Sequence, residues 1–139
     1  MITDRDTTEI TFEMQPSLTD AQVEELFMDA WGEAPPVPYG RVLARSLTWV
    51  AAFQGDALVG FVNLAWDGGA HAFVTDAMVR SDLRQRGIGL ELVGRAVEAA
   101  RAAGVRWIHA DYEPHLDGFF AKAGFLNTRA RVLTVRSWT

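Results

Sequence analysis

The chain has 139 residues, 49% hydrophobic and 22% charged, the balance of one globular domain, and at this length folding buries roughly two-thirds of the unfolded surface without help from a disulfide or metal. It has no cysteine, which removes disulfide frameworks, thiolate nucleophiles and Cys-based zinc sites and agrees with a reducing cytoplasm. A net charge of −5 argues against nucleic acid as partner, and no apolar stretch reaches the ~18 residues of a membrane span.

The polar opening lacks the apolar core of a signal peptide, so residues 1–8 are expected to form a mobile tail on a soluble, cytoplasmic, single-domain protein. Residues 9–14 alternate Ile10, Phe12 and Met14 against Glu9, Thr11 and Glu13, the period of a half-buried strand. Pro16 breaks it. Thr19 and Gln22 have capping-box spacing ahead of Val23, Leu26, Phe27, Ala30 and Trp31, which predicts a helix over 20–31 closed by Gly32. Three prolines in residues 33–38 force a loop, and 39–47 reads as a short second helix.

Strand-like runs follow at 48–53, 58–66 and 71–79, separated by the turns Gln54-Gly55-Asp56 and Asp67-Gly68-Gly69, which predicts a three-stranded antiparallel meander. The third run leads into Arg84-Gln85-Arg86-Gly87-Ile88-Gly89. Beyond it Leu92, Ala96, Ala99 and Ala103 recur at helical spacing, widened by Val93, Val97 and Ala100, up to a stop at Gly104. Residues 105–112 read as another strand, Pro114 opens a helix that ends at Gly124, and 127–138 reads as one or two final strands.

The glycine loop between a strand and a long helix carries the chemistry. The first N–H groups of a helix lack intrahelical acceptors and sit at the positive end of its dipole, so they can hold a phosphate. Gly87 and Gly89 let an anion approach the backbone, and Arg84 and Arg86 add positive charge that opposes the helix dipole unless an anion sits between them. A pyrophosphate is the expected guest. The P-loop pattern is excluded because Leu90-Glu91 stand where Lys-Ser/Thr would be needed, and the dinucleotide fingerprint because position 92 is Leu.

The spacing Arg-x-x-Gly-x-Gly after Asp76-Ala77-Met78-Val79 resembles the acetyl-coenzyme A (acetyl-CoA) loop of the GNAT superfamily of N-acetyltransferases. A second stretch, Gly118-Phe119-Phe120-Ala121-Lys122-Ala123-Gly124-Phe125, is similar to that family's Phe-Tyr-x-x-x-Gly-Phe ending of its last helix. The resemblance covers nearly the whole chain and implies an α/β (α+β) fold: a mixed, mainly antiparallel central sheet flanked by helices, with a splayed parallel strand pair at the cofactor site.

It also implies acetyl transfer from acetyl-CoA to a primary amine of a small molecule or peptide by direct attack. The backbone of Met78 and Val79 would pair with the pantetheine amides, the amides of Arg84, Gln85, Arg86, Gly87, Ile88 and Gly89 would take the pyrophosphate, and an N–H near Ala77 or Met78 would polarise the thioester carbonyl. Asp76 matches an acidic position of the family and is the expected base, with Asp111 and Glu113 as rivals. Phe120 stands where the family often has a tyrosine acid. Tyr112, at the end of the neighbouring strand, is the substitute expected to protonate the thiol.

Trp31 and Tyr39 flank the proline loop, and His71 follows a turn beside the expected active side, so these three are the acceptor-facing residues. The histidines show no metal spacing, and no metal is expected. Net acidity favours a cationic acceptor such as a polyamine or aminoglycoside, and the family allows a homodimer. The alternative to an enzyme is a non-catalytic acyl-CoA sensor or partner-binding module, which the missing tyrosine hydroxyl at Phe120 encourages.

Overall fold

The computed structural model describes residues 9–136. Strand β1 (Ile10–Met14) is followed by helices α1 (Asp20–Trp31) and α2 (Tyr39–Leu43), then by strands β2 (Ser46–Gln54), β3 (Ala57–Trp66) and β4 (His71–Val79). A 3-10 turn (Ser81–Leu83) leads to the long helix α3 (Ile88–Ala102), strand β5 (Trp107–Ala110), a second 3-10 turn (Pro114–Leu116) and helix α4 (Asp117–Lys122). The sheet has the order β1-β2-β3-β4-β5, antiparallel throughout except for the parallel pair β4 and β5.

Local chemistry sets these elements. Thr19 and Gln22 close a reciprocal capping box, with the Thr19 N–H donating to Gln22 Oε1 at 2.8 Å and the Gln22 N–H donating to Thr19 Oγ1 at 3.1 Å. Helix α2 is shorter than the expected 39–47. Its last turn yields to β2 because Ser46 pairs with Ala65 of β3 and donates its hydroxyl toward the Val42 carbonyl, so the ladder takes over where the helix would continue.

Each sheet face is covered by different helices. Ile88, Leu92, Val93, Ala96 and Ala100 of α3 pack with Val50, Val59, Val62, Leu64 and Ala72 on one face. Val23, Leu26 and Phe27 of α1 and Tyr39 of α2 pack with Ala51, Phe53, Phe61 and Met78 on the other. Each large side chain buried in this way contributes roughly 1.5–3 kcal/mol.

The expected final strands are not formed. Residues 127–136 carry no strand, and positions 137 and 138 of the expected span lie outside the described residues, as do residues 1–8. Alternation makes a segment amphipathic, but a strand also needs a paired edge. Here Leu126, Val132, Leu133 and Val135 stay 74–89% exposed, and β5 remains the outer strand with four residues instead of the expected eight.

Candidate functional site: a bulge in β4 beside an open strand end

The site is built around an irregularity in β4. Phe61 pairs with Met78 and Asn63 with Thr75, so Asp76 and Ala77 together oppose the single residue Val62. This two-against-one count is a β-bulge, a device that re-aims side chains. Asp76 adopts the left-handed conformation with φ +54°, which aspartate tolerates better than most residues.

The bulge reverses the in-out alternation of the strand. Before it, Ala72 and Val74 face the α3 core; after it, Ala77 and Val79 do, while Met78 faces α1 and α2. Regular pairing would have sent Asp76 into the apolar α3 core. The bulge instead turns it to the α1–α2 side, where its Oδ2 accepts a 2.6 Å hydrogen bond from the Tyr39 hydroxyl. Burial pushes the Asp76 carboxyl above its ordinary range, and the Tyr39 bond opposes part of that rise. The rival carboxylates Asp111 and Glu113 are exposed.

Tyr39 is therefore not an open acceptor contact. Its ring is 3% exposed, held edge-on between Phe27 and Phe61 at 5.6 Å from each. Burial, then the charge of Asp76, raises its hydroxyl far above the ordinary tyrosine value, so it stays a proton donor. Trp31 is exposed at the end of α1. His71 lies in a row of rings across β4 and β5: its ring stacks on Trp107, its Nδ1 sits 2.8 Å from His109 Nε2, and His109 stacks on Phe73.

On the other side of β4 the main chain dominates. Parallel pairing with β5 stops at Val74 and Ala110, so β4 runs on through Asp76, Met78 and Val79 with no β5 partner. The loop that follows turns left-handed at Gln85 (φ +65°) and at Gly87 (φ +84°), the N-cap of α3, and no side chain caps the helix. Backbone of this kind presents successive N–H groups to one side and builds anion-binding concavities. A Cβ on Gly87 would meet nothing within 4 Å, whereas a Cβ on Gly89 would lie 3.1 Å from the Phe119 ring, so Gly89 is needed for α4 to close on α3.

The basic cluster is more divided than the sequence suggests. Arg80 is committed to Asp82 at 2.7 Å and to Gln54 at 3.1 Å, and Arg84 Nε donates to the Val79 carbonyl at 3.0 Å. Arg84 thus pins the loop to the end of β4, and Arg86 is exposed beside it. Asp29 of α1 accepts from the Ser81 N–H and hydroxyl at 2.8 and 2.9 Å, tying α1 to the same corner.

Tyr112 and Phe120 stack face to face, with centroids 4.5 Å apart. Phe120 is buried, and the Tyr112 hydroxyl donates to Asp117 Oδ1 at 2.8 Å, a bond that holds the proton and raises its pKa. The alternation-reversing bulge and the Tyr39–Asp76 bond are the two features that sequence reading missed. The only sequence signal for them was an aspartate among apolar strand residues.

The sequence model of the acetyltransferase (GNAT) family matches residues 16–125. The chain belongs to the GNAT family. A probable glucosamine 6-phosphate N-acetyltransferase of Oryza sativa subsp. japonica is 35% identical over 94 residues, 68% of this chain and 51% of that protein. A mycothiol acetyltransferase of Mycolicibacterium vanbaalenii is 30% identical over 98 residues, 67% of this chain and 33% of that one. The chain thus spans about half of one of these curated relatives and a third of the other. Among solved structures, a GNAT-family acetyltransferase from Streptococcus pneumoniae TIGR4 superposes with a TM-score of 0.80 at 24% identity, covering 93% of this chain and 100% of that one. The shared fold is the GNAT sheet with its parallel β4–β5 pair, in agreement with the expectation from the glycine loop.

Proposed function

We propose that this chain is an N-acetyltransferase that takes an acetyl group from acetyl-CoA and delivers it to a primary amine of a small molecule or peptide. The observation that carries the reading is the match of the acetyltransferase (GNAT) family model to residues 16–125, and the bulge that turns Asp76 to the α1–α2 side, just past the end of β4–β5 pairing, supports it. The names of both curated relatives, one of them acting on glucosamine 6-phosphate, support acetyl transfer to a small amine.

The residues present fit the cofactor. Past Val74 the β5 side of β4 carries no strand partner, so main-chain groups near Met78 and Val79 could meet the pantetheine amides, the Val79 carbonyl being shared with Arg84 Nε, and the amides of residues 84–89 could take the pyrophosphate. Bound acetyl-CoA supplies the acetyl group activated as a thioester. An N–H at Ala77 or Met78 would be the donor to the acyl oxygen as charge develops there. Asp76 accepts the amine's proton, directly or through one water, and its raised pKa makes it a stronger base than an ordinary aspartate. Tyr112, whose hydroxyl now donates to Asp117, would be the side chain to supply a proton to the thiol; Phe120 has none to give.

The acceptor side is read as one for a cationic amine. A cleft of about 240 Å³ is lined by Asp20, Glu24, Tyr39 and the prolines Pro35, Pro36 and Pro38; Trp31 and His71 are not part of this lining and His71 lies at the opposite end of β4 from Asp76. The reading extends to a cytoplasmic protein, supported by the cysteine-free composition, and to a homodimer, supported by the open outer edge of β5 and the exposed apolar residues 132, 133 and 135. A monomer mass in solution scattering would refute the dimer. No helix among the described residues is long and apolar enough to cross a membrane.

The test is a thiol-release assay with acetyl-CoA across polyamines, aminoglycosides, amino sugars and peptides. Turnover with at least one amine, abolished in Asp76→Asn, is the expected result. Cofactor binding with every amine silent would favour the second reading, an acyl-CoA sensor, which the buried and hydroxyl-free Phe120 encourages.

A further inference from the structure

Asp76 is held by a chain of polar side chains that crosses the sheet. Asn63 of β3 is fully buried; its Oδ1 faces Ser46 Oγ at 2.5 Å and its Nδ2 donates to Thr75 Oγ1 at 2.9 Å. Because Thr75 receives the amide hydrogen, its own hydroxyl proton is free to point onward, and it bears on the Tyr39 phenol, which it pulls back toward its ordinary value. Tyr39 in turn donates to Asp76 Oδ2. Among the described residues no buried side-chain nitrogen or oxygen is left without a partner, so this line of polar groups is fully satisfied within an apolar cluster.

We propose that Tyr39, backed by Thr75 and Asn63, is a positioning residue for Asp76: it holds Oδ2 and leaves Oδ1 as the oxygen that meets the acceptor's proton. This rests on the reading of Asp76 as the base. Three observations support it. The bulge reverses strand alternation at the one carboxylate of β4, and it does so toward Tyr39. The Tyr39 ring cannot swing, since Phe27 and Phe61 clamp it edge-on, so the donor has a fixed place. Tyr39 is also the first residue of α2, directly after the proline loop, so the hydrogen bond fastens the acceptor-side loop to the strand that holds the base.

A buried aspartate in this conformation has several ways to turn, and a single strong donor selects one of them. A donor lost beside a charged acceptor weakens both the charge and its aim. Among the described residues Tyr39 is the titratable group whose hydrogen bond acts on Asp76; the other influence is burial.

The experiment compares wild type, Tyr39→Phe, Thr75→Val and Asp76→Asn, with kcat and KM for both substrates and a carbon-13 NMR titration of the Asp76 carboxyl in the protein without substrates. Tyr39→Phe keeps the ring and its packing. It should lower kcat by about tenfold, leave KM for acetyl-CoA unchanged, and move both the carboxyl titration and the acidic limb of kcat/KM to higher pH, because the carboxylate loses a donor. Thr75→Val should move them in the same direction by less, and it decides the matter if Tyr39→Phe does not fold. A carboxyl titration and a kcat both at wild-type values in the folded variants would overturn the positioning role. Full turnover in Asp76→Asn would instead overturn Asp76 as base, an outcome that the NMR titration of Tyr39→Phe keeps separate.

Discussion

The two sides of the end of β4 are built from different materials. Toward α3 the proposed cofactor contacts are main-chain amides, in a loop shaped by the left-handed residues Gln85 and Gly87 and by the close fit of Gly89 under Phe119. Toward α1 and α2 they are side chains, Asp76, Tyr39, Thr75 and Asn63, arranged by a bulge and a ring clamp. A main-chain site depends on backbone conformation and is tolerant of side-chain change. A side-chain site is the reverse, and a single atom replaced there should matter.

The most severe way to break this contrast is Asp76→Asn. Asparagine also tolerates the left-handed backbone and can still accept from Tyr39, so the fold survives while the base is lost; turnover should fall by about a hundredfold or more with acetyl-CoA affinity unchanged. Its effect on stability has the opposite sign. The folded carboxyl has a raised pKa, so its contribution to stability is complete below the ordinary carboxylate pKa and is lost as pH rises through the folded value. At neutral pH the ionised group is a burden, and thermal denaturation of Asp76→Asn should show a melting temperature equal to or above wild type, an advantage that disappears in acid.

Next in size is Gly87→Ala on the main-chain side. The added Cβ meets open space, so the cost is purely conformational, about 1–2 kcal/mol for a left-handed alanine. Relaxation of that strain disturbs the loop, and calorimetry should show acetyl-CoA binding weakened by roughly tenfold with kcat at saturation preserved. Arg84→Gln should do less, about a two- to fivefold rise in KM for acetyl-CoA that shrinks with added salt, because a charge near a helix start acts weakly through solvent. The smallest effect belongs to Tyr112→Phe. Its hydroxyl is engaged with Asp117, so thiol release should slow by only about twofold, read best at low pH in single-turnover experiments.

These residues also mark how far the sequence was legible. The bounds of α1 and β4 followed from a capping box, a closing glycine and a glycine turn, all of which act within a few residues. The family was legible for the same reason, since the spacing of the glycine loop is local. The bulge was not, because a two-against-one mismatch is decided by the register between β3 and β4, and the alternation of β4 read alone assigns Asp76 to the wrong face. Tyr39 and Asp76 are 37 positions apart, and nothing local announces their bond. The residues 127–136 failed in the opposite direction: their alternation was readable, but a strand exists only where an edge accepts it.

The proposed acetyl-CoA site joins the open end of β4 to the head of α3. The most direct test is calorimetric titration of acetyl-CoA into the wild-type protein. It should give saturable binding of one cofactor per chain, weakened in Gly87→Ala; no heat and no thermal shift at millimolar acetyl-CoA would contradict the claim.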